Sequence, residues 1–147
     1  MLRIRSRTSG ALVAGLLACP ALLFAQGTAT AAPAAESWSA SYGTASTAGT
    51  LDYVVNAEED RWDVVFDGHL TNTGGECYST WFATVYDLYP PVFTKAGTRC
   101  GAGTAPVRHS LPSYGDSWNT NAYVAVCKGT TSHTDCGPFE FISRIGT

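Results

Sequence analysis

The chain has 147 residues, nine basic and twelve acidic side chains, a formal charge of -3 and 12% aromatic residues. This length suits one domain with a sizeable core. A weakly acidic chain without a basic patch argues against nucleic acid and anionic lipid as partners, because both are bound chiefly through Lys and Arg.

Arg3, Arg5 and Arg7 precede an apolar run over residues 11–25, which is followed by small residues including Ala29-Thr30-Ala31. A basic start, a short apolar run and small residues predict a secretory signal peptide over residues 1–31 and a secreted mature protein. Cys19 after Leu16-Leu17-Ala18 resembles a lipidation site, but Pro20 and the apolar residues 21–25 continue the run where a polar tether is expected. The reading is therefore export without a lipid anchor. Cleavage removes three of the nine basic residues and none of the twelve acids, so six bases face twelve acids and the charge moves from -3 to -6. No second apolar stretch of about 20 residues follows, so no transmembrane segment is expected.

Residues 32–50 are Ala, Ser, Thr and Gly with only Trp38 and Tyr42 as bulky groups, which predicts a flexible lead or an irregular first strand. Residues 51–147 are read as the folded domain. Leu51, Tyr53 and Val55 alternate with Asp52, Val54 and Asn56, and Glu58-Glu59-Asp60 follows as an exposed turn. Trp62, Val64, Phe66, Gly68 and Leu70 then alternate with Asp63, Val65, Asp67 and His69, the period-2 pattern of a half-solvated strand. Asn72-Thr73-Gly74-Gly75 predicts a turn, and residues 77–89 predict a strand apolar on both faces, ended by Pro90-Pro91. Residues 92–114 carry Pro106 and Pro112 and show no clear period.

Residues 123–127 and 136–141 read as two strands joined by the polar run 128–135. Setting Cys127 opposite Cys136 places Val126 opposite Gly137, Val124 opposite Phe139 and Ala122 opposite Phe141. Val124, Val126, Phe139 and Phe141 then share one face, the expected core face, because side chains alternate with period 2. Four cysteines remain in the mature chain, an even number in a small exported protein, and read as two disulfides. The hairpin register pairs Cys127 with Cys136 and leaves Cys77 with Cys100. No cysteines lie two to four residues apart and no histidines repeat at ligand spacing, so zinc and other cofactors are not expected. Short strands between turns, with no helical period, predict an all-β antiparallel sandwich, immunoglobulin-like, or a small barrel.

Trp62-x-Val64-x-Phe66-x-Gly68-x-Leu70, Cys77 after a Gly-rich turn, Cys100-Gly101, Val124-x-Val126-Cys127 and Asp135-Cys136-Gly137 resemble a group of small exported proteins of high-GC Gram-positive bacteria. The resemblance implies fold and location, and no activity. Subtilisin-inhibitor proteins and enediyne-carrier apoproteins are similar in size and disulfide number, but cysteine gaps of 23, 27 and 9 residues fit neither; they serve as analogies of class only.

No hydrolase, metalloprotease, phosphate-loop or dinucleotide motif occurs. His69 reads as a solvated strand residue and His109 as a residue of an irregular segment. His133 lies two residues from Asp135, among Thr130, Thr131 and Ser132. These are the ingredients of nucleophilic catalysis, but neighbours in one exposed turn seldom form the required relay, and local turn bonding is expected instead. Glu58, Glu59, Asp60 and Asp63 lack the glycine-centred spacing of a calcium loop.

Aromatic residues are the remaining signal. Trp81, Tyr86, Tyr89 and Trp118 are candidates for stacking on a sugar or another planar ligand, and Lys128, His133 and Asp135 are candidates for contact through the loop. The leading expectation is a secreted non-enzymatic binding module for an extracellular protein or glycan. The alternatives are an inhibitor of extracellular proteases that presents the 127–136 loop, and a small secreted hydrolase.

Overall fold

A computed structural model describes residues 35–86, 89–113 and 120–145. The expected signal segment 1–31, Cys19 and Trp118 lie outside them. The described chain is eight β-strands: β1 (Glu36–Tyr42), β2 (Ala45–Asn56), β3 (Arg61–Asn72), β4 (Cys77–Val85), β5 (Val92–Cys100), β6 (Gly103–Ser113), β7 (Thr120–Lys128) and β8 (Glu140–Ile145). They form two antiparallel four-stranded sheets, β1-β2-β3-β6 and β5-β4-β7-β8. The all-β sandwich is thus open-edged, not a closed barrel, with no helix among the described residues.

The core follows from alternation. Val64, Phe66 and Leu70 of β3 are fully buried, as are Val124 and Val126 of β7, and these inner rows enclose Trp38, Leu51, Phe82 and Val107. Burying each such side chain contributes about 1.5–3 kcal/mol. Phe82 is the centre of an aromatic stack, with its ring 5.4 Å edge-on from Trp38 and 4.8 Å from Phe66. Trp38 lies over Gly49 and Gly68, which face each other across β2 and β3. A Cβ on Gly68 would stand 2.8 Å from the Trp38 ring, so the glycines form the floor on which the indole rests.

Segments that look irregular in sequence are strands. Residues 36–42 form β1 and 45–50 open β2, so the small-residue segment is regular; Trp38, Ala40, Ala45 and Thr47 face the core while its Ser residues, Ala48 and Thr50 are exposed. Residues 92–113 contain the whole of β5 and β6, both edge strands. Pro106 and Pro112 are tolerated because β6 pairs only with β3, leaving one side of its backbone free of a ladder. His109 is correspondingly in a strand and faces the core. Its ring is stacked 5.1 Å from Phe82 and 5.9 Å from Phe66.

β4 lies between β5 and β7 and is buried on both faces, which accounts for its apolar residues on both sides. Both disulfides form as paired, Cys77 with Cys100 and Cys127 with Cys136. The hairpin register holds only beside the disulfide. Gly137 N donates to Val126 O, but further along Val124 faces Glu140, not Phe139, and a second irregularity between Ala122 and Tyr123 places Ala122 opposite Ser143. Ile142 and Ile145 therefore fill the core in place of Phe139 and Phe141. Phe141 is exposed beside Tyr123 on the outer face, and Phe139 packs outside the sheet.

Candidate functional site

The two ends of the sandwich differ. One carries both disulfides, the β1–β2 turn, the β3–β4 turn and the β5–β6 turn. Asn72, 1% exposed, joins the turns there: its Nδ2 donates to Glu76 O (2.8 Å) and Gly101 O (3.1 Å), and its Oδ1 accepts from Thr44 Oγ1 (2.9 Å) and Gly74 N (3.0 Å). Every donor and acceptor of the amide is used, so this end is closed.

The 128–135 loop belongs to the same end and folds back over the outer face of β4 and β5. Ser79 Oγ donates to Gly129 O and accepts from Trp81 Nε1, both at 2.9 Å. Lys95 Nζ donates to Thr130 O (2.7 Å), and Tyr42 OH donates to Asp135 Oδ1 (2.6 Å). His133 stacks 4.1 Å from Phe93 and 5.1 Å from Trp81. The loop is thus the lid of a second small core made by Trp81, Ala125 and Cys127 with Phe93, Cys136 and Phe139 around them.

This geometry changes the reading of several candidates. Trp81 is buried, so it offers no stacking face. Lys128 Nζ is 2.7 Å from Glu76 Oε1. The hydrogen bond between them holds the Glu76 carboxyl below and the Lys128 ammonium above its usual range, and the bond to Asp135 raises the Tyr42 phenol. All three groups are solvated, so these contacts orient the loop end and add little stability. His133 and Asp135 turn to different partners, Phe93 and Tyr42. Ser132 Oγ and Thr134 Oγ1 lie 2.8 Å apart, with Thr134 N donating to Ser132 Oγ, the local turn bonding expected of these residues. Among the described residues no group of His, Cys, Asp and Glu is placed to hold a metal ion.

Among the described residues the opposite end is open. β2 and β3 are each 12 residues long, whereas β4 and β7 facing them are nine. The β2–β3 hairpin consequently runs beyond its partners. Tyr53 is opposite Val64 and Val55 opposite Trp62, so Tyr53, Val55 and Trp62 continue the core-facing row. Val64 and Phe66 on that row are 0% exposed, but Tyr53 is 50%, Val55 57% and Trp62 52% exposed. Tyr86, Tyr89 and Val92 are also exposed, where β4 hands over to β5 at the same end. Tyr86 and Tyr89 are thus exposed beyond the end of β4.

Sequence reasoning misses Tyr53, Val55 and Trp62 because alternation assigns them correctly to the core-facing side. The signal that locates them is strand length, which leaves one end of that side unmatched. The described residues therefore form a disulfide-closed β-sandwich with one closed end and one open apolar end. No protein-family model, no curated protein and no solved structure matches it.

Proposed function

We propose that the protein is an exported, non-enzymatic binding module that meets an extracellular partner through the open end of its sandwich. The observation that carries this reading is the core-facing row of β2 and β3, buried at Val64 and Phe66 and about half exposed at Tyr53, Val55 and Trp62. Covering the free halves of Tyr53 and Trp62, roughly 100 Å² each, contributes about 2.5 kcal/mol per residue before the costs of association. Two disulfides favour an oxidising compartment, and no helix among the described residues is long and apolar enough to cross a membrane.

The experiment compares mature protein with a Tyr53→Ser/Trp62→Ser variant, both immobilised, on a glycan array and against extracellular protein from the producing cells. A ligand retained by the parent and lost by the variant, with unchanged thermal unfolding, is the expected result. Equal retention by both would overturn the assignment of the site. The inhibitor reading finds less support, since Lys128 is ion-paired and the loop lies against the sheet. Trypsin and subtilisin assays should show no inhibition at micromolar protein.

A further inference from the structure

The open end has an acidic rim around its apolar face, and the two together define a narrower partner. Glu36 opens β1 opposite Leu51, Asp52 follows Leu51 on β2, Glu58, Glu59 and Asp60 form the hairpin turn, and Asp63 follows Trp62. Among the described residues the basic groups at this end are Arg61, which pairs with Glu59 and Asp63, and Arg144, opposite Asn121 near the start of β7. The three turn acids thus border Tyr53, Val55 and Trp62, with Glu36 on the same face of the sheet, while Asp52 and Asp63 alternate onto the opposite face, where Asp63 pairs with Arg61.

Resting on the binding reading above, we infer that the open end docks a basic, apolar polypeptide segment, with its apolar side chains on Tyr53, Val55 and Trp62 and its Lys or Arg groups against the turn acids. Charge decides among the occupants of such a face. A second copy would bring two acidic rims together, and like charges across an interface oppose association. Nucleic acid and anionic membrane are repelled in the same way. A neutral glycan makes no use of the carboxylates. A cationic segment satisfies both the apolar row and its rim.

The test uses two synthetic fluorescent peptides of equal length with the same Leu and Phe positions, one with Lys and one with Glu at every polar position. Anisotropy titration against the mature protein should show the Lys peptide binding at least about tenfold more tightly at low salt, the amount that two or three exposed ion pairs of ordinary strength supply. The difference should shrink at 1 M salt, where screening reaches within about 3 Å. Glu58→Gln/Glu59→Gln/Asp60→Asn should remove most of the preference and leave folding intact, since Asn accepts the positive φ of 48° at Asp60. Trp62→Ser should weaken the Lys peptide without reversing the preference.

Equal binding of both peptides would overturn the charge selection while leaving the open end as an apolar binding site. Binding of neither would remove both readings. Concentration-dependent dimerisation in sedimentation, lost in Trp62→Ser, would assign the face to a second copy and overturn the proposal.

Discussion

Asn72 offers the sharpest test of how the closed end is held together. Its side chain is 1% exposed and makes four hydrogen bonds, two as donor to Glu76 O and Gly101 O and two as acceptor from Thr44 Oγ1 and Gly74 N. Asn72→Leu keeps the branching of the side chain, with bulkier methyl groups, and removes all four. At about 1 kcal/mol net per hydrogen bond the loss is about 4 kcal/mol, and it falls toward 3 if the Glu76 and Gly101 carbonyls recover water. Urea unfolding with the disulfides intact measures it as a lower midpoint at unchanged slope. A loss under about 1 kcal/mol would refute the claim that the three turns are joined through this amide. Asn72→Asp isolates the donor half. The carboxylate still accepts from Thr44 and Gly74 but sets its second oxygen against two carbonyls, so the folded state favours the protonated acid. Its folded pKa is raised above the unfolded value, and the sign follows: stability is retained at low pH and lost as pH rises through the folded pKa. Relative to the parent, Asn72→Asp should therefore recover on acidification.

Three further outcomes follow from named contacts. Gly68→Ala should cost about 1–3 kcal/mol in the same unfolding assay, because its Cβ would stand 2.8 Å from both the Trp38 ring and Gly49 Cα, and backbone cannot yield there. His109 carries a buried Nε2 without a hydrogen-bond partner, and burial lowers its pKa from the ordinary 6.5. The unfolded chain therefore takes up the proton first, so stability should be full above pH 6.5 and fall as pH drops from there toward the folded pKa; His109→Phe should flatten that part of a stability-against-pH series. A Cys127→Ala/Cys136→Ala variant should lose about 2.7 kcal/mol in the chain-entropy model and make Trp81 fluorescence accessible to acrylamide, because the loop that covers it is freed. Unchanged quenching would show that Ser79, Lys95 and Tyr42 hold the loop without the disulfide.

The limits of sequence reading can be traced to individual residues. Strand β3 is legible because Val64, Phe66 and Leu70 are large, regularly spaced and one-sided, and the β4 ambiguity is itself the signature of a central strand. β1 and β6 are hidden because their inward positions include Ala40 and the half-buried His109, which carry little hydropathy contrast, and because Pro106 and Pro112 are admissible only once β6 is known to be an edge. The Asn72 hub is visible as a turn but not as a joint, since its partners at Thr44 and Gly101 are 28 and 29 residues away.

The stapled hairpin shows the same limit more sharply. The cysteines fix one rung, and a register carried outward from one rung is sound only while the ladder stays regular. Pro138 cannot donate a backbone hydrogen bond, and by Val124 the pairing has moved by one residue. A slip of one residue exchanges the faces of a strand, so Phe139 and Phe141 leave the core and Ile142 enters it, and the second slip between Ala122 and Tyr123 turns Ile145 inward again. Phe139 then becomes available to the small core outside the sheet, where with Phe93 and His133 it covers Trp81. The displaced register thus explains why the loop lies down on the sheet. The exposed apolar residues Tyr53, Val55 and Trp62 lie at the other end, where the long β2–β3 hairpin outruns the strands that would cover it.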